Sequence, residues 1–410
     1  MPYRLALAIL LGLAVTTGLG SRALADDPAP PPAPPASTGP STGAAAATAA
    51  AAMAELDAAR LDAHVRTLAS PEYGGRGSPE DRSKAATYVA DTLVAAGVHP
   101  VPGASSMFVP FPAKGETPAG KNVAGWIEGK DANEYVVLSA HFDHLGRRGD
   151  EWFPGADDNA SGSAALIEIA RALASGPKPA RSVLVLSFDL EESNCVGSRA
   201  YAANPAVPLE RCAAFTTMDM MGRSVGDLFP GLLFVMGAER AAALSSTVAT
   251  LPHPPGLVLR ELGMDFNQLG WSDYVPFEER KVPSLFFTSG ACRDYHRSTD
   301  TADKIDVASL HARAATVLVA VRLLAALPTR PVWEAAPAPR LVEFETLHAL
   351  VKEAGAHEEE MQIPAGIRTM RKGFETNLAA TLARGTVTVA ERTAARNLAL
   401  MLLRGLAAAR

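Results

Sequence analysis

Cysteine is scarce in this chain, and basic charge is not in excess. Three cysteines in 410 residues (Cys195, Cys212 and Cys292) exclude a disulfide-built scaffold, leaving either one disulfide with a spare thiol or three free thiols. Lys and Arg number 38 against 44 Asp and Glu, a net charge of −6, so there is no basic stripe of the kind nucleic acid requires. Hydrophobic residues at 48% and charged residues at 20% exclude wholesale disorder and supply a sizeable core.

The N-terminus is organised as an export signal. Arg4 precedes an apolar run from Leu5 to Gly20, and Ala23-Leu24-Ala25 is a small-x-small cleavage site. A membrane-spanning helix needs about 20 apolar residues, and Ser21-Arg22 closes this run too early. Residues 1–25 are therefore expected to be removed, leaving an exported protein, periplasmic or secreted, with no stable membrane span. Residues 26–53 are Pro/Ala-rich and read as an extended linker with little to bury. Residues 54–330 form one catalytic-sized domain, and the prolines between Pro328 and Pro339 mark its boundary with a helical extension over 331–410.

Helix and strand signals alternate through the central region. Ser78 to Ala96 and Ser161 to Ala174 carry apolar residues at helical spacing, whereas 135–138, 183–186 and 284–287 are short, continuously apolar β-type runs. Strands with no polar alternation are covered on both faces, which predicts an α/β fold: a mixed, mostly parallel central sheet between helices. In the extension, Leu341 to Gly355 is expected to be helical, Pro364 to start another helix, and Thr388-x-x-Glu391 to be a capping box opening the last.

Polar clusters follow the strand signals, at the strand carboxyl ends where open α/β sheets bind ligands. They are His141-Phe142-Asp143-His144, Gly155 to Gly162 (with Asp157-Asp158), Glu191-Glu192, Met218-Asp219-Met220-Met221-Gly222, and Asp294-Tyr295-His296. Taken in this order, with Asn122-Val123, Gly125 and Gly74-Gly75-Arg76 ahead of them, they resemble the signatures of the zinc exopeptidase family M28, of the aminopeptidase Y and bacterial leucyl aminopeptidase type. The resemblance runs from about Leu61 to Ser309.

The resemblance implies two Zn²⁺ ions per chain: His141 and Asp219 on one, Glu192 and His296 on the other, with Asp157 as the bridging carboxylate. It makes Glu191 the general base and Tyr295 a group that polarises the scissile carbonyl. It also implies a non-prolyl cis peptide, expected between Asp157 and Asp158. These residue types suit the chemistry, since zinc takes imidazole nitrogen and carboxylate oxygen while leaving room for water. Two bridged ions about 3.5–4 Å apart would share one hydroxide, whose proton Glu191 would pass to the leaving amine.

Asp143 is expected to hold the other ring nitrogen of His141, and Ser272 and Asp273 to do the same for His296. His144 is expected near substrate but off the metals, and the remaining histidines are assigned no ligand role. The implied activity is aminopeptidase hydrolysis of peptides with a free N-terminus. An M28-type carboxypeptidase, a single-zinc glutaminyl cyclase-like acyltransferase and a non-catalytic binding homologue are the alternatives.

Overall fold

The computed structural model describes residues 43–408 apart from 114, 116–117, 267–271 and 360–362. The expected export signal and the first part of the linker lie outside the described residues. The linker ends sooner than residue 53: a helix spans Gly43–Glu55 and buries Ala49 and Ala52. Alanines are small enough to lie flat on a neighbouring helix, and the end of this one is fixed by charge. The Glu55 carboxylate takes both ends of the Arg322 guanidinium, and its carbonyl accepts from Arg171.

Among the described residues eleven strands follow: β1 (His99–Pro100), β2 (Phe108–Phe111), β3 (Gly120–Ile127), β4 (Asp131–His141), β5 (Gly146–Arg148), β6 (Glu151–Phe153), β7 (Arg181–Phe188), β8 (Cys212–Met218), β9 (Leu232–Met236), β10 (Val258–Leu262) and β11 (Ser284–Thr288). The main sheet has the order β1-β3-β7-β4-β8-β11-β9-β10, with β2 also paired to β3, while β5 and β6 form a separate hairpin. The four central strands β7, β4, β8 and β11 are mutually parallel, and antiparallel pairs flank them. Every residue of β7 and β8 is buried, as continuously apolar runs require.

Helices cover both faces. On one, Ala58–Leu68, Pro79–Ala95, Gly162–Ser175 and Val307–Ala326 pack their apolar sides into a core with Val136, Leu138, Val183 and Val185. Ser78 caps its helix by accepting from the Asp81 amide, with proline at the first helical position. On the other face, Tyr135, Phe215, Phe277 and Phe286 share a core with Phe344, Leu347, Phe374 and Leu378 of the C-terminal helices Leu341–Ala356 and Ala365–Arg384.

The last helix, Val389–Ala408, opens on the expected reciprocal cap: Thr388 Oγ1 accepts from the Glu391 amide, and the Glu391 carboxylate accepts from the Thr388 amide. One turn on, Arg392 donates to Glu343, which is 1% exposed, and to Asp265, 2.6–2.9 Å away. All three cysteines are free and buried, so the disulfide alternative is not realised.

Candidate metal centre

The four parallel strands end on the same edge of the sheet, and each delivers one part of the site. His141 is the last residue of β4, Glu191-Glu192 follow β7, Asp219 directly follows β8, and His296 lies in the loop after β11. Three non-glycine residues at or beside these positions, Leu190, Met220 and His296, hold positive φ angles of 56–58°. Left-handed backbone at such residues costs about 1–3 kcal/mol each and persists where the surroundings impose it.

His141 Nε2 lies 3.2 Å from Asp219 Oδ1, 3.6 Å from Asp158 Oδ1 and 3.9 Å from Glu191 Oε2. His296 Nε2 lies 3.1 Å from both Asp158 Oδ2 and Glu192 Oε2. The ring of Tyr295 stacks on His296, centroids 3.9 Å apart. The carboxylate standing between the two donor sets is thus Asp158, and here the structure corrects the sequence reading by one residue.

Asp157 faces away from the cluster. Its Oδ1 accepts from the Gly222 amide at 2.7 Å and lies 3.3 Å from Ser161 Oγ, pinning the turn after β8. The cis peptide is shifted by the same step, to Asp158–Asn159. Adjacent side chains in a turn diverge, so only one aspartate of such a pair can face the cluster. The other ties down the backbone. Asp300 holds both in place, accepting from the Asp157 and Asp158 amides at 3.0 and 3.1 Å.

Asp143 does more than face His141. Its main-chain oxygen and Oδ1 lie 3.3 and 3.6 Å from His141 Nδ1, and its carboxylate accepts from the amides of Glu191 and Glu192. Ser272 and Asp273 serve the opposite side from the one expected. The Ser272 hydroxyl donates to Asp219 Oδ2 at 3.2 Å, and the fully buried Asp273 carboxyl, raised to about 7 by burial, is opposed by the charge of His141.

Two residues were not foreseen in their roles. His144, buried, places Nδ1 2.7 Å from Glu192 Oε1 and 3.7 Å from Asp158 Oδ2, so His144, Asp158 and Glu192 form a donor cluster of their own. Arg76, fully buried with φ 55°, donates to the carbonyls of Leu68, Phe142, Pro154 and Gly155 at 2.6–2.7 Å, tying the His141 segment to the Asp158 segment. His144 sits three residues from His141 in a motif already singled out, but its spacing does not say whether the ring faces the carboxylates.

The electrostatics are those of a cation site. Burial pushes the Glu191 carboxyl well above the ordinary carboxylate range, and burial likewise raises Asp219. Burial works against charge on His296, yet its bonds to Asp158 and Glu192 lift it to about 10. Four carboxylates and three imidazoles, only His296 of them partly exposed, carry a desolvation cost that a bound cation offsets. One imidazole with two carboxylates on each side, the central one shared, is a nitrogen and oxygen donor set that fits zinc.

Residues 122–321 match the model for peptidase family M28. Among curated proteins the chain is 27% identical to aminopeptidase YwaD of Bacillus subtilis over 206 residues, 46% of this chain and 40% of that protein. Among solved structures it is similar to the LapA aminopeptidase of Legionella pneumophila (22% identity, TM-score 0.54, covering 68% of this chain and 74% of that one). It is also similar to the glutaminyl cyclase of Porphyromonas gingivalis (22% identity, TM-score 0.52, covering 65% and 98%). At these identities the structural likenesses are likenesses of fold. The chain spans less than half the length of the first curated relatives it matches.

Proposed function

From the chain's membership of peptidase family M28, we infer that it is an exported dizinc aminopeptidase, which cleaves the first peptide bond of substrates with a free N-terminus. One observation carries the reading. Asp158 presents one carboxylate oxygen toward His141 and the other toward His296, so two donor sets share a single carboxylate. His141 and Asp219 would hold one ion, Glu192 and His296 the other, and Asp158 both. Bound zinc lowers the pKa of water and polarises a carbonyl oxygen.

The remaining work falls to the chain. Glu191 belongs to the His141 cluster but has burial to keep its proton affinity high, which suits a base that accepts a proton from water and returns it to the leaving amine. Asp143 orients it, since its carboxylate holds the Glu191 and Glu192 amides together. Tyr295, stacked on His296, has its hydroxyl driven upward by burial and the neighbouring Asp158 and Glu192, so it stays protonated and able to donate to an oxyanion. Export rests on the pattern of residues 1–25.

The test is metal content per chain on the purified protein with hydrolysis of an aminoacyl-nitroanilide panel, Glu191→Gln serving as control. Two zincs, turnover of unblocked substrates only, and loss of turnover without loss of metal in the variant are expected. One zinc with no amide hydrolysis would replace this reading with a cyclase.

A further inference from the structure

A pocket of about 390 Å³ opens beside His296, its walls supplied by the β5–β6 hairpin and by the loop after β11. The hairpin contributes Arg148, Glu151 and Phe153, and the loop contributes His296, Arg297 and Ser298. Both walls lead straight into the metal centre. Arg297 is the next residue after His296, and β6 runs on through Pro154 and Gly155 to Asp158.

The charges in this pocket do not cancel. Glu151 accepts from the Ser298 hydroxyl at 2.6 Å, a bond that joins the two walls. The Arg148 guanidinium lies over the Phe153 ring, 5.4 Å from its centroid, a contact that orients the group while leaving its N–H donors free. Among the described residues neither Arg148 nor Arg297 pairs with a carboxylate. Nearby cations in the same region are already engaged: Asp294 takes Arg223 at 2.5 Å and Lys304 at 2.9 Å. Two unpaired guanidiniums against one carboxylate leave the pocket positive, next to where a peptide would be cut.

Building on the peptidase reading, we propose that this pocket binds a carboxylate of the substrate, with Arg148 and Arg297 as the groups that select it. A planar guanidinium matches a carboxylate in geometry as well as charge. The carboxylate has two sources on a short peptide: the side chain of an acidic N-terminal residue, or the C-terminal α-carboxylate of a dipeptide.

Calorimetric binding to the zinc-loaded Glu191→Gln protein separates the sources and does not depend on turnover. The pairs are L-glutamate against L-glutamine, and Ala-Ala against Ala-Ala amide. At least one acidic member should bind about tenfold more tightly than its neutral partner, as one charge-assisted contact provides. Adding Arg148→Ala should abolish that preference, and Arg148→Glu should reverse it. Arg297→Ala should reduce it with zinc content unchanged. Equal binding within each pair, or a preference indifferent to Arg148→Ala and Arg148→Glu, would overturn the proposal. Charge preference in binding without hydrolysis of any peptide by the unmutated protein would instead retain this pocket and overturn the peptidase reading.

Discussion

His144 Nδ1 lies 2.7 Å from Glu192 Oε1, leaving the other oxygen of that carboxylate, Oε2, turned toward His296. On the dizinc reading, the imidazole would thereby choose which lone pairs of Glu192 face the second ion. Residues that orient a ligand in this way typically control metal affinity by about 10–100-fold. His144→Ala is expected to weaken the second zinc by that factor while the first stays bound, read by stepwise zinc titration of metal-free protein. Equal affinities in the two proteins would remove the role.

The neighbouring aspartates should separate cleanly. Asp158→Asn is expected to reduce zinc content at both positions, because the shared carboxylate, with one oxygen toward each donor set, becomes a neutral amide with a single oxygen. Asp157→Ala should keep its zinc but unfold more easily by about 1–3 kcal/mol, the usual cost of orphaning a buried donor, here the Gly222 amide. Metal analysis and denaturant melts on the two variants decide it. Zinc loss in Asp157→Ala with full retention in Asp158→Asn would restore the original assignment.

Arg76 has no substitute among the side chains. Replacing it by Leu strips the carbonyls of Leu68, Phe142, Pro154 and Gly155 of their donor. A loss of at least about 3 kcal/mol is expected from breaking such a buried network, and Arg76→Lys should recover little of it, since an ammonium lacks the fork that reaches four acceptors. A melting temperature within two or three degrees of the unmutated protein would contradict this.

Glu278 offers a pH test on a carboxyl that is not among the candidate metal ligands. Burial raises its carboxyl to about 7, with the Arg240 charge opposing. Its folded-state pKa therefore exceeds its unfolded value, so the folded protein binds the extra proton between about pH 4.5 and 7. Stability from this group is present at the acid end and lost as pH rises through 7. Glu278→Gln should accordingly be more stable than the parent at pH 8 by about 1–3 kcal/mol, with little difference at pH 4.5. A gap that does not change with pH would reject the assignment.

The sheet was legible because β4, β7 and β11 are runs of apolar residues with no polar alternation, and the helices because their caps are written in Ser78, Pro79 and the Thr388–Glu391 pair. The segments holding His141, Glu191-Glu192, Asp219 and His296 were singled out by their order and their resemblance to family signatures, and the structure brings these side chains together at the strand ends. What a linear reading could not supply was direction. Asp157 and Asp158 are chemically identical neighbours, and only the turn of the backbone decides which one faces the imidazoles. Ser272 meets Asp219, more than fifty residues away in the chain, rather than His296, a tertiary contact that local sequence does not encode. Gly43–Glu55 looked featureless for a different reason. An alanine-rich helix has almost no amphipathic contrast, and its place is fixed by Arg171 and Arg322 from far along the chain.

The Arg392 guanidinium joins two acids that would otherwise face each other across the packing between the sheet and the C-terminal helices, one of them, Glu343, sealed from water. This makes the tail a keystone rather than an ornament. Removing the helix Val389–Ala408 would take Arg392 away and leave the buried Glu343 carboxylate without those hydrogen bonds, beneath the helix that carries Phe344 and Leu347. What that helix adds is therefore a charge partner for an acid on the sheet-facing helix, delivered from nearly fifty residues further along the chain.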